Sequence, residues 1–232
     1  MPDRFTPFSS EHLAALAAGA MVVAALILGG RSGGRGRQIT TGILAFLNLA
    51  AYPLCVAANL RESGPIHLDN LLPFQMCDIA AIAAGFALLT HNRTLCRITY
   101  FWGLAATFQA LLTPAITIGA AHPTFAMFFV KHFAVVGASL FLPLAAGWRP
   151  APPIWREAVS AWAWANVYLV CAFPLNLVLG TNFAFFSHKP PNPSLIDHLG
   201  PWPWYILSFE VLSLTLFGML LLPFTGLRRA AK

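Results

Sequence analysis

Cys77, Asp78, Lys131, His132 and Glu210 are ionisable side chains set within long apolar runs. A charge at the centre of a bilayer costs at least a few kcal/mol even by insertion scales, so each is a candidate for function. Cysteine with histidine suggests a particular chemistry. A thiol becomes a nucleophile when a neighbouring base or cation favours its thiolate, and a thiolate attacks an ester carbonyl to give an acyl-thioester. Cys77 is therefore the candidate nucleophile and His132 the candidate base. Lys131, Gln109, Asn176 and Asn182 are candidate donors to an oxyanion or to polar parts of a substrate, a role in which one well-placed donor contributes roughly 3–4 kcal/mol. Asp78, Glu210 and Gln75 are candidate orienting groups and charge partners. Plainer readings stand beside these. Asp78 with Lys131 reads equally as an ion pair that fixes packing, Glu210 as a neutral acid bonded to a carbonyl, and Cys77 as a small hydrophobe.

The elements that carry these residues follow from composition. Across 232 residues, 58% are hydrophobic and 9% charged, and the mean hydropathy is +0.68. A water-soluble domain does not have that composition. Seven apolar stretches approach the roughly 20 residues that a helix needs to cross a hydrocarbon core of about 30 Å. They fall at about 12–30, 39–60, 71–90, 98–119, 125–147, 158–180 and 204–225. The expected fold is an all-α integral membrane protein, a single seven-helix bundle covering residues 1–232.

Basic residues orient the bundle, because Lys and Arg accumulate in short cytoplasmic loops. Arg31, Arg35 and Arg37 follow the first span, Arg93 and Arg97 the third, and Arg149 and Arg156 the fifth, while Arg228, Arg229 and Lys232 end the chain. Only Arg4, Arg61 and Lys189 fall on the other side, with Lys131 inside a span. The expected topology is N-terminus outside and C-terminus cytoplasmic, in a multi-pass protein of the bacterial plasma (inner) membrane. This asymmetry accounts for the net charge of +6, so basicity gives no separate reason to expect a nucleic-acid partner. The three arginines follow the first apolar run rather than precede it, which favours a retained helix over a cleaved signal peptide.

On this topology the polar residues converge. At about 1.5 Å per residue, Cys77 and Asp78, Lys131 and His132, and Glu210 each lie roughly 10 Å below the outer entry of their span. Gln75, Gln109, Thr113 and Asn176 also fall in outer halves, so a pocket opening outward is expected. The long connection at 181–203 lies over that pocket, and its aromatic residues suit the headgroup boundary, as an interfacial plug or a lid. Cys55, Cys77, Cys96 and Cys171 have no paired spacing, and no disulfide framework, metal site or cofactor motif is expected.

Three stretches carry a resemblance: Leu72-Pro-Phe-Gln-Met-Cys-Asp78, the region around His132, and Gly180-Thr-Asn182 continuing through Lys189-Pro190 to Leu199-Gly-Pro-Trp-Pro-Trp-Tyr205. With them the chain resembles the YwaF-like integral membrane family, which is related to the transmembrane protein 164 acyltransferase family. The resemblance implies a lipid acyltransferase whose cysteine accepts an acyl chain from a phospholipid and passes it to another lipid. By motif the nucleophile falls on Cys77 and the histidine on His132. Where the family often has histidine and tyrosine, this chain has Gln75 and Phe183. The expected function is thus a cysteine-dependent acyltransferase or related lipid hydrolase acting on a phospholipid or lysolipid. A transporter or small-molecule-binding protein using the same polar cavity is the alternative, and a packing scaffold the third reading.

Overall fold

The computed structural model describes residues 4–62 and 67–225, and among them all regular structure is helical apart from one antiparallel bridge between Arg4 and Ile118. The basic residues Arg228, Arg229 and Lys232 lie outside the described residues. In chain order the helices are α1 (Ser10–Arg31), α2 (Gly34–Asn59), the single turn α3 (Leu68–Leu71), α4 (Met76–Thr90), α5 (Arg93–Trp102), α6 (Phe108–Leu112), α7 (Pro123–Leu144), α8 (Trp155–Leu179), α9 (Trp204–Met219) and the short α10 (Leu222–Thr225). A π-helical segment, Gly103–Thr107, joins α5 to α6 without a break. Six helices are long and apolar enough to cross a membrane, with α3–α4 and α9–α10 each counted as one. Their outer surfaces leave Phe46, Val170, Val178 and Val211 exposed, as lipid-facing walls do. The chain is a multi-pass integral membrane protein.

α7 is the centre of the bundle, packing on α1, α2, α4 and α5. Its buried surface is built of Val135, Val136, Ala138, Phe141 and Leu142. α2 and α4 approach closely because Gly85 presents no side chain; a Cβ there would lie 2.5 Å from Leu49 Cγ. Asn48, fully buried in α2, ties α2 to α7 by donating to Ala134 O at 2.9 Å.

Two element boundaries differ from the sequence expectation. The third span, expected to begin at 71, starts its continuous helix only at Met76. Pro73 forces the preceding Leu72 into extended conformation (φ −96°, ψ 136°). Tyr52 then holds the Leu71 carbonyl and Tyr168 the Phe74 carbonyl. The fourth span, expected at 98–119, is helical from Arg93 to Leu112. Asn92 caps it by accepting from Thr94 N and Leu95 N, so Arg93 and Arg97 belong to the helix. It ends before Pro114, and the following chain is extended, with Phe5 N donating to Thr117 O at 3.1 Å.

Polar contacts define the two ends of the bundle. At one end, Glu62 meets His122 and Thr124, Glu11 accepts from Ala120 N, and Asp69 accepts from Asn182 N. This loop end carries the 181–203 connection. At the other end Glu157 binds Arg93, Arg97 and Ala151 N, clamping α8 to α5.

Candidate active site at the first turn of α4

Cys77 is the second residue of α4. Gln75 is the N-cap but its side chain makes no capping bond; its carbonyl accepts from Asp78 N and Ile79 N at 2.8 and 3.2 Å. Among the described residues, no acceptor bonds the N–H groups of Met76 and Cys77. A helix start with free donors can meet negative charge that develops on a bound group beside it. Cys77 shares a helix face with Ala81, Ala84 and Leu88, spaced at 4, 7 and 11 residues. Those three are 0, 0 and 1% exposed, whereas Cys77 is only part-buried. The face that is sealed along the rest of α4 is less tightly packed at the thiol.

The charged partner comes from α7. Lys131 Nζ donates to Asp78 Oδ1 at 2.8 Å, and the two side chains are 12% and 5% exposed. Lys131 is also the cation that acts on Cys77 and on Cys55 of α2, and Asp78 is the anion that acts on both. Cys55 itself donates to Met127 O at 3.6 Å. Two thiols, one ammonium and one carboxylate thus meet where α2, α4 and α7 converge.

His132 turns away from this group. Its Nδ1 lies 2.6 Å from Phe128 O, and its ring rests 4.1 Å from the Phe128 ring, centroid to centroid. A carbonyl only accepts, so Nδ1 carries the proton and Nε2 keeps its lone pair, the tautomer of a general base. Val135 and Ser139 share the His132 face, and both pack on the π segment: a Cβ on Gly103 would lie 1.9 Å from Ser139 Oγ. His132 therefore faces α5 and α6, about 100° around α7 from Lys131. Among the described residues no hydrogen bond joins it to Cys77.

The remaining candidates serve other contacts. Asn176 donates to Phe183 O at 3.1 Å and accepts from Thr181 Oγ1 and Phe183 N, closing the end of α8 onto the loop. Asn182 accepts from Ser187 N and His188 N and donates to His188 O at 2.9 Å. Gln75 accepts from Ala184 N at 3.3 Å. Glu210 accepts from Asn166 Nδ2 at 2.9 Å across α8 and α9, so it meets an amide rather than Lys131 or His132. Gln109 is half-buried in the first turn of α6, where its carbonyl accepts from Thr113.

The 181–203 connection is a folded cap. Phe183 is fully buried, Asn192 donates to Pro114 O and Ile116 O at 2.7 Å each, and Trp202 donates to Phe186 O at 3.0 Å. Ala184 and Phe185 take φ of 54° and 59°, a left-handed pair that L side chains adopt only when the surroundings hold them there. Gln75 and Tyr205 bind their backbone groups.

Sequence reasoning missed four polar groups. Asn166, Asn48 and His12 stand alone in apolar runs and were findable as interruptions of those runs. His12 is buried, accepting from Phe8 N through Nδ1 and donating through Nε2 to Leu111 O at 2.8 Å. Tyr168 reads as packing, yet its hydroxyl donates to Phe74 O at 2.9 Å, just before α4 begins at Met76. Among the described residues, no group of three His, Cys, Asp or Glu gathers as metal ligands do.

Neither a curated protein nor a solved structure matches the chain. One family model does, over residues 7–221, which takes in every helix described above as far as Leu221, the cap and the Cys77 site. That match covers nearly the whole chain, and the protein belongs to the TMEM164 family.

Proposed function

We propose that this protein is a membrane lipid acyltransferase, or a related lipid hydrolase, that works through an acyl-thioester on Cys77. The observation that carries the reading is the part-buried thiol at the uncapped first turn of α4, beside the buried Lys131–Asp78 pair. In this reading the Cys77 proton reaches His132 Nε2 through an intervening water, since the imidazole faces α5 and α6, and the Nδ1 bond to Phe128 keeps Nε2 free to receive it. The thiolate attacks the ester carbonyl of a phospholipid. The resulting oxyanion is met by the free N–H groups of Met76 and Cys77 and by Lys131, donors that exist before the charge forms. As the C–O bond breaks, His132 returns the proton to the departing lysolipid. A lipid hydroxyl, an amine or water then attacks the thioester and restores the thiol. Asp78 holds Lys131 in place, and Gln75 positions the cap above the turn.

The same reading places the chain as seven spans, the helix from Arg93 to Leu112 being one that its π turn and two arginines mark as less apolar than the rest. The loop end, with the N-terminus, faces outward in a bacterial inner membrane. The support is the concentration of arginine at the opposite end.

The test is covalent labelling of the detergent-solubilised protein by a long-chain acyl-activated probe, mapped by mass spectrometry. Labelling selective for Cys77 that falls in His132→Ala supports an activated nucleophile. If Cys77 labels no faster than Cys55 or Cys171, or if Cys77→Ser turns over lipid like the parent, the reading is wrong.

A further inference from the structure

α8 and α9 pack together and leave between them a groove of about 440 Å³. Leu169, Val170 and Phe173 form one wall and Trp204, Ile206 and Leu207 the other. Val170, Trp204 and Leu207 are 71, 63 and 60% exposed, so the groove opens sideways onto the lipid. Asn166 precedes Leu169, Val170 and Phe173 by three, four and seven residues, and Glu210 follows Leu207 and Ile206 by three and four. Those spacings carry the lining stripe of each helix one turn deeper. There Asn166 Nδ2 donates to Glu210 Oε2 at 2.9 Å, and the joined pair is the floor of the groove. At 1.5 Å per residue the floor lies roughly 9 Å below Trp204.

The floor offers acceptors and no donor. Asn166 Nδ2 gives its other hydrogen to Trp162 O at 3.0 Å, and because a carbonyl only accepts, that bond fixes which end of the amide is nitrogen. Among the described residues Asn166 Oδ1 and Glu210 Oε1 have no hydrogen-bond partner, and no cation pairs with Glu210. Both residues are half-buried. A carboxyl at this depth without a countercharge is costly, and the acyl-transfer scheme makes no use of it. We propose that the groove binds a compact lipophilic amine drawn from the bilayer, its protonated nitrogen donating to Glu210 Oε1 and Asn166 Oδ1 and its apolar body lying between Phe173, Trp204 and Leu207. An ammonium brings the two things the floor lacks, N–H donors and a positive charge. A phosphate brings further acceptors, and a plain hydrocarbon leaves both oxygens bare. The volume is that of a small-molecule site, which spans about 300–1,000 Å³.

The test uses the full chain in phosphatidylcholine vesicles and the probe 1-pyrenemethylamine, with 1-methylpyrene as the control that lacks the nitrogen. Binding is read as tryptophan-to-pyrene energy transfer that 1-adamantanemethylamine displaces, which separates the site from partition into lipid. The parent is expected to show displaceable binding of the amine and none of the control. Glu210→Gln keeps an acceptor for Asn166 but removes the charge, and should weaken amine binding about tenfold or more. Leu207→Trp fills the groove from an exposed position, so it serves where the first variant fails to fold, and it too should weaken binding. Displaceable binding that is absent in the parent or equal for 1-methylpyrene overturns the proposal. So does amine binding that either folded variant leaves unchanged.

Discussion

Removing either member of the Lys131–Asp78 pair should destabilise the bundle far more than removing both. Lys131 Nζ and Asp78 Oδ1 are 2.8 Å apart with side chains 12% and 5% exposed, so neither finds water when its partner is gone. Breaking such a pair strands a buried charge and costs about 3–5 kcal/mol, whereas replacing both partners with neutral groups of similar size is often close to neutral. Asp78→Asn and Lys131→Met should therefore each lower the melting temperature in detergent by about 6–20 °C, taking roughly 2–4 °C per kcal/mol for a chain of this size. The double variant should recover most of the loss. The cycle thus yields a coupling of about 3 kcal/mol or more, well above the 0.5 kcal/mol scatter of independent sites. Thiol reactivity adds a second readout. Asp78→Asn frees the ammonium for the Cys77 thiolate and should speed its alkylation, while Lys131→Met should slow it. Single variants that cost under about 1 kcal/mol, or a double variant equal to their sum, would refute the claim that this pair is buried and mutually dependent.

Three further outcomes are expected. Gly103→Ala puts a Cβ 1.9 Å from Ser139 Oγ, which is held on Thr99 O and Val135 O at 2.7 and 2.8 Å. It should cost about 1–3 kcal/mol, partly restored in a Ser139→Ala background, as thermal unfolding of the four proteins will report. Asn176→Ala removes three bonds that join α8 to the cap and should raise the rate of limited proteolysis within 181–203 about tenfold, a change of about 1.4 kcal/mol in local opening; an unchanged rate would mean the cap is held elsewhere. Glu62 lies outside the spans. Burial pushes its carboxyl up, but the bonds with His122 and Thr124 outweigh that and hold it below the usual range. A lowered folded value contributes stability above the unfolded one, about 4.3, and loses it as pH falls through the folded one. The melting temperature of the parent should thus fall on acidification below about pH 4.3 more steeply than that of Glu62→Gln.

Much of the architecture was legible because hydropathy reports length and a membrane rewards it. The first, second, fifth and sixth spans begin and end within a few residues of α1, α2, α7 and α8. The third and fourth spans moved for local reasons that hydropathy ignores. Pro73 delays α4 to Met76, and Asn92 starts a helix whose first turns carry Arg93 and Arg97. At the site, depth was legible and direction was not. Cys77, Asp78 and Lys131 were placed at one level from residue counts, and α4 and α7 bring them together. Equal depth did not distinguish Lys131 from its neighbour His132, which the 100° step between adjacent residues turns toward another helix. Nor did it separate Glu210, which a packed α8–α9 pair gives to Asn166.

By itself, the sequence determined that this chain lives in a membrane as a helical bundle, because in hydrocarbon only a helix or a closed barrel satisfies every backbone group, and continuous apolar runs of about 20 residues fit the helix rather than alternating barrel strands. It also determined which few residues would be costly enough in that setting to need partners. Tertiary structure alone decided who those partners are. The order of helices around α7, the missing cap at Gln75 and the π turn beside His132 are consequences of how side chains pack. Such packing couples residues far apart in the chain, and no periodicity along it encodes the outcome.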